Sequence, residues 1–230
     1  TEPPATAGSL AKAEFYDDRR ALLESIGPDE AELGLRVIAY LKTRPTEPQL
    51  TLQALVELVA RTESLEAVDY LSDLVAEYGA SLAIRATAAE HLWRTSPERA
   101  IDVLEPLLRE RPRATTPPGE ALLKGWLSAK DALGEEPSEV LALVATDLYR
   151  EDAVRHAAIK AFEEPTPRAK AALEAILVES TGNFYLRRLA AQRIMKIFER
   201  EEACALVERV LSLEADMNMQ IFMADLFTIN

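Results

Sequence analysis

Apolar residues recur at helical spacing from about residue 10 to the end of the chain, in segments of about 12–17 residues. Short breakers separate the segments. They are Gly27-Pro28, Pro45 to Pro48, Gly79, Ser96-Pro97, Arg111 to Gly119, Gly134 to Pro137, Pro165 to Pro167 and Thr181-Gly182. No sustained apolar/polar alternation is bounded by Asn-Gly or Asp-Gly, so strands are not expected. The pattern predicts about thirteen helices joined by short turns. Residues 1–9 (TEPPATAGS) read as a disordered tail or linker, and residues 10–25 as a first helix.

The helical segments repeat. With Arg155 as the reference, the same frame falls on Thr51, Arg85, Glu120, Arg187 and Gln220. One residue before the reference stand Leu50, Ile84, Gly119, Val154, Leu186 and Met219. Three after stand Ala54, Ala88, Leu123, Ala158, Ala190 and Met223, and seven after stand Leu58, Leu92, Leu127, Phe162, Ile194 and Phe227. These offsets share one face of a helix, and a small residue at its middle lets a neighbouring helix approach closely. Fourteen before the reference stand Val37, Leu71, Leu141, Leu173 and Leu206, with Leu107 one residue out of step in the third unit. Each unit is therefore a helix pair, A then B. The pairs are expected at about 29–62, 64–95, 97–133, 136–164, 166–199 and 200–230, within a single domain spanning 10–230. A single pair cannot bury its apolar stripe, but stacked neighbours can. The expected fold is an all-α, right-handed α-solenoid of antiparallel helix pairs.

The segment Asp152-Ala153-Val154-Arg155-His156-Ala157-Ala158 resembles the B-helix signature of HEAT repeats. So do Ile84-Arg85-Ala86-Thr87-Ala88-Ala89 and Leu186-Arg187-Arg188-Leu189-Ala190-Ala191. The likeness covers about 200 residues in period and three of the six units in signature. Thr51 and Gln220 stand where the family has Arg, and Glu120 follows Pro117-Pro118-Gly119. The resemblance implies a non-catalytic scaffold or adaptor that binds a partner peptide or domain. Its alternatives are a regulatory or enzymatic domain acting on a small ligand, and a self-association module. The repeat arginines Arg85, Arg155 and Arg187 lie at the edge of the buried stripe. They are expected to lay their stems on the core and pair with an acid of the turn, such as Asp152 for Arg155. A ligand-binding ladder is the alternative.

Charge and composition narrow the chemistry. Of 230 residues, 39 are acidic and 26 basic, a net charge of −13, which opposes a phosphate backbone. Residues 1–80 carry most of the excess, with 15 acids and 7 bases. No apolar run is long enough to span a bilayer, so no membrane insertion is expected. The single cysteine, Cys204, reads as a half-buried structural thiol. The chain begins at Thr1, which leaves the compartment open between cytoplasmic and exported. His91 and His156 occupy different repeat offsets. Some HEAT-like hydroxylases hold iron with His-Glu pairs, whereas this chain has only the reversed Glu90-His91. Neither paired metal-ligand spacing nor a nucleophile elbow nor a phosphate loop is present, so no catalytic residue, metal or cofactor is expected. HEAT-like DNA glycosylases need a basic, aromatic-lined face, but here Trp93 and Trp126 fall where packing is the ordinary role.

A partner surface is expected where B helices face away from the buried stripe, at offsets +1 and +5. In chain order these positions are Leu52 and Val56, Ala86 and Glu90, Ala121 and Gly125, His156 and Lys160, Arg188 and Gln192, then Ile221 and Asp225. The fourth and fifth units are basic there. His156, Lys160, Arg188, Gln192 and Lys196, with Arg193 beside them, form the candidate contact patch for an acidic peptide or helix. Leu52 and Val56 are apolar where solvent is expected, and the 10–25 helix is a candidate cap for them. The last helix is apolar on most sides, so Met219, Ile221, Phe222, Met223 and Phe227 make it a candidate docking end, including for a second copy. Arg109, Arg111 and Arg113 mark the loop before Gly119 as a candidate recognition loop.

Overall fold

The computed structural model describes residues 31–43, 46, 48–62, 64–77, 80–113, 116, 119–179, 183–212 and 217–229. The expected tail at 1–9 and helix at 10–25 lie outside the described residues. Within the described residues there are twelve α-helices and no strand, and the all-helical class is the one the periodicity predicts. They are α1 (Ala31–Lys42), α2 (Gln49–Arg61), α3 (Leu65–Ala76), α4 (Leu82–Thr95), α5 (Pro97–Arg109) and α6 (Gly119–Leu133), followed by α7 (Ser138–Thr146), α8 (Asp152–Ala161), α9 (Pro167–Val178), α10 (Phe184–Ile197), α11 (Arg200–Leu211) and α12 (Met217–Ile229). Odd-numbered helices are the A helices of the six pairs and even-numbered ones the B helices.

Local chemistry fixes where the helices begin. Ser64, Ser81 and Thr166 each accept a bond from the backbone N–H three residues on, at 3.1, 3.3 and 3.1 Å. Asn183 accepts from the Tyr185 N–H at 2.9 Å. Each cap satisfies one of the N–H groups that a helix start leaves without a partner. At the end of α6, Gly134 adopts φ +66°, where a Cβ would be strained, and lets Glu135 N–H reach the Lys130 carbonyl at 2.9 Å.

The chain divides into two compact units. The first runs to Leu107 and takes in Arg113–Glu135. The second comprises Leu108–Pro112 and Glu136–Asn230. In the first, the B helices α2, α4 and α6 pack in a row, with α1 and α3 in contact beside them. In the second, α7, α9 and α11 form one row and α8, α10 and α12 the other. Successive pairs meet across these rows near equivalent positions. Gln53 Nε2 donates to Thr87 Oγ1 at 3.1 Å, both two residues past their references, and Lys124 pairs with Glu90 at 3.1 Å, one residue out of step.

The predicted B-helix stripe is the core in the second, fourth and fifth pairs, where Ile84, Ala88 and Leu92, then Val154, Ala158 and Phe162, then Leu186, Ala190 and Ile194 are buried. Full burial of a large apolar side chain contributes about 1.5–3 kcal/mol. The first pair departs from the pattern, since Leu50 is exposed. In the third pair Leu104 and Leu108 are buried and Leu107 only half-buried, so the A-helix core position is not the predicted one. Trp126 packs as expected. It is fully buried, its indole N–H donates to Glu105 at 3.1 Å, and the Lys130 ammonium lies 5.5 Å from its ring centroid. Offsets +1 and +5, expected to face solvent, are buried at Val56, Ala121 and Gly125. The reason is close approach of adjacent B helices. A Cβ on Gly125 would stand 2.0 Å from the Ala89 carbonyl oxygen, so α6 meets α4 backbone to backbone.

The repeat arginines are buried, at 3% exposure for Arg85, 3% for Arg155 and 6% for Arg187. Each donates its Nε to the carbonyl ten residues earlier. Arg85 reaches Val75 at 2.9 Å, Arg155 reaches Ala145 at 2.9 Å, and Arg187 reaches Leu177 at 3.0 Å. All three carbonyls belong to the penultimate residue of the A helix, one of the groups that a helix end leaves unpaired. The negative end of the helix dipole lies there too, which favours a cation. Asp152 is not the partner of Arg155. Instead Arg155 Nη2 pairs with Glu179 at 2.9 Å, and Asp152 accepts from Asn183 at 2.6 Å. The third pair has Glu120 at this position, and there Arg150 supplies the donors. It reaches the Leu108 carbonyl and, at 2.7 Å, that of Glu110, and is held by Asp147 at 3.2 Å. Replacing Arg85 by Met keeps the apolar stem and strands the Val75 carbonyl, at a cost of about 2–3 kcal/mol. Urea unfolding followed by circular dichroism should show that loss, with little recovery in Arg85→Lys. Two nitrogens of Arg85 share this oxygen, the second at 2.7 Å, and an ammonium cannot reproduce that geometry.

Candidate functional site

The expected contact residues fall on neighbouring B helices of the second unit. His156 and Lys160 sit one turn apart on α8. Arg188, Gln192 and Lys196 succeed one another by single turns along α10. Lys160, Arg188, Gln192 and Lys196 are exposed and His156 is half-buried. The structure also brings in aromatic rings. The His156 ring stacks on Tyr185 with centroids 5.6 Å apart and planes 19° apart. The Arg188 guanidinium lies 4.7 Å from the ring centroid of Phe222 on α12. Tyr185 was not among the expected residues. Its signal in the sequence is the consecutive pair Phe184-Tyr185 opening an amphipathic helix, where both cannot face the core.

Charges are distributed unequally between the two rows of this unit. On or beside the A row four cations are matched, while Arg200 makes no ion pair among the described residues. Arg168 and Arg109 both pair with Glu139, Lys170 pairs with Glu202, and Arg209 with Glu174. The two guanidinium groups hold the Glu139 carboxyl below its ordinary value through hydrogen bonds and charge. Arg193 on α10 turns inward to the carbonyl of Phe162. The outward cations of the B row differ. Among the described residues Lys160, Arg188 and Lys196 make no ion pair with a carboxylate. Helix α10 itself, FYLRRLAAQRIMKI, contains no acidic residue. The corresponding row of the first unit is paired, with Glu57 taking Arg61 at 3.0 Å and Arg94 at 3.9 Å, and Glu90 taking Lys124.

The candidate docking end is placed only in part as expected. Met219 and Met223 are fully buried within their own unit, and Phe222 is half-buried beneath Arg188. The apolar surface of α12 is carried instead by Met217, 72% exposed, and Ile221, 56% exposed. The side chain of Phe227 lies outside the described part of the structure. In the loop after α5, Arg109 is engaged with Glu139 at 3.0 Å and the Arg111 guanidinium stands 4.1 Å from the Tyr149 ring centroid. Arg113 is exposed, and its backbone N–H donates to Thr116 Oγ1 at 3.1 Å. Val56 is buried, so it offers no open apolar surface, while Leu52 is half-buried. Cys204 is free and half-buried. Among the described residues no group of three or more His, Cys, Asp or Glu side chains could hold a metal ion. No described helix is long and apolar enough to cross a membrane. No family model, curated protein or solved structure matches the chain.

His91 on α4 is the other titratable group of interest. Its Nδ1 is buried without a hydrogen-bond partner among the described residues. Burial, then the Arg94 guanidinium, hold its pKa below the ordinary 6.5. Lys124 adds to this, and Glu57 and Glu90 oppose it. On acidification the unfolded chain takes up this proton before the folded one does, so the group's contribution is lost as pH falls below about 6.5. Thermal melts from neutral to mildly acidic pH should therefore show a smaller fall in Tm for His91→Leu than for the wild type.

Proposed function

We propose that the chain is a HEAT-like α-solenoid that serves as a non-catalytic protein–protein interaction scaffold or adaptor. The period of the helix pairs and the repeat arginines support the family reading. Those arginines are occupied with helix ends, which leaves no ligand-binding ladder for them to form. The observation that carries the functional reading is the cationic row on α8 and α10, where Lys160, Arg188 and Lys196 make no ion pair among the described residues while Arg168, Lys170 and Arg209 of the neighbouring row are paired. Opposite charge across an interface steers encounter and selects partners. Capture from lysate, quantified by mass spectrometry, should fall about tenfold for Lys160→Glu/Arg188→Glu. Equal capture by the variant and the wild type would remove this face from the reading.

A second reading, self-association through α12, is favoured by the exposure of Met217 and Ile221. Light scattering should then give a dimer for the wild type and a single chain for Met217→Ser/Ile221→Ser. A single chain in both would dismiss it. Met219 and Met223 are unsuitable for this test because they are core residues.

A further inference from the structure

We infer that the outer face of α8, α10 and α12 takes an acidic linear segment of a partner protein, one that sets an apolar side chain among its carboxylates. This rests on the reading of that face as the partner surface and names the chemistry of what it holds. Arg188, Gln192 and Lys196 rise along α10 in steps of about 6 Å, so two cations flank a neutral hydrogen-bonding side chain. A segment with carboxylates at either end of a polar or apolar residue matches that order. Lys160 on the adjacent helix α8 supplies a further cation. No carboxylate of the described chain neutralises these groups, whereas Arg168, Lys170 and Arg209 of the A row are neutralised locally. The missing counter-charge is therefore one a partner would bring.

The apolar component follows from the same face. Tyr185 is 60% exposed and Ile221 lies open on α12. The rings of Tyr185 and Phe222 are already held by His156 and Arg188, so an incoming side chain meets surfaces whose rotamers are set, which lowers the entropy cost of binding. Single-stranded nucleic acid could use the same cations and rings. A long polyanion, however, also meets the field of a chain with net charge −13, while a short segment with a few carboxylates meets mainly the local cations.

A displayed library of random short peptides, panned on the full chain with Lys160→Glu/Arg188→Glu as counter-selection, tests the assignment. Enriched sequences should carry two or more Asp or Glu around an aromatic or large aliphatic residue. Labelled copies should lose about tenfold in affinity for the variant, and should weaken as salt rises. Enriched peptides that lack acidic residues but still lose affinity for the variant would overturn the acidic-segment assignment and leave the partner surface standing. An empty selection would overturn the assignment as well. Oligothymidine binding tighter than the selected peptides would replace it with nucleic acid. Acidic peptides that bind the variant as well as the wild type would remove both the assignment and this face.

Discussion

A helix that ends inside a protein leaves carbonyl oxygens that water cannot reach, and the way this chain satisfies them governs how its pairs are built. In three pairs a guanidinium from the first turn of the B helix turns back to the penultimate carbonyl of the A helix, ten residues earlier. The bond ties the exit of one helix to the entry of the next. It also sets the face of the B helix, because the arginine can reach inward only when the residues one before and three after it are buried too. The first pair shows the frame without the tie. Thr51 stands at the arginine position, its hydroxyl is buried without a partner, and Leu50 beside it is exposed.

Much of this was legible in the sequence. Small residues at the middle of the stripe, Ala88, Ala158 and Ala190, mark the close packing of B helices, and they are fully buried. The position of the arginines was legible, but their bonding was not, because a backbone carbonyl has no signature in a sequence and a nearby Asp152 does. The outward offsets were read from a helix with a single buried face. Gly125 and Ala121 break that rule because α6 presses against α4 along a second face, and only the absence of a side chain permits the approach. Met219 and Met223 misled for a related reason, since apolar residues around a terminal helix do not reveal which of them its own unit covers.

The candidate surface was half visible in the same way. Its basic residues could be counted, and α10 could be seen to lack acids. What the sequence could not supply was the contrast between rows. Acids and bases alternate on α9 and α11 much as they do elsewhere, and only the fold brings Lys170 to Glu202 and Arg209 to Glu174. Pairing of Lys170 and Arg209 on one row contrasts with Lys160, Arg188 and Lys196 on the other, which make no ion pair among the described residues. The proposed partner surface rests on that asymmetry together with the rings of Tyr185 and Phe222 set against His156 and Arg188.

Arg150 carries a consequence for how the second unit comes apart. Its donors reach the end of α5 from 40 and 42 residues downstream, across the whole of α6. Leu108–Pro112 thereby belong to the second unit, although the whole of α6 lies between them and the rest of it in the chain. An excursion of the sequence is pinned there by one guanidinium, so melting of the α7–α8 turn sets Leu108–Pro112 free from their own unit.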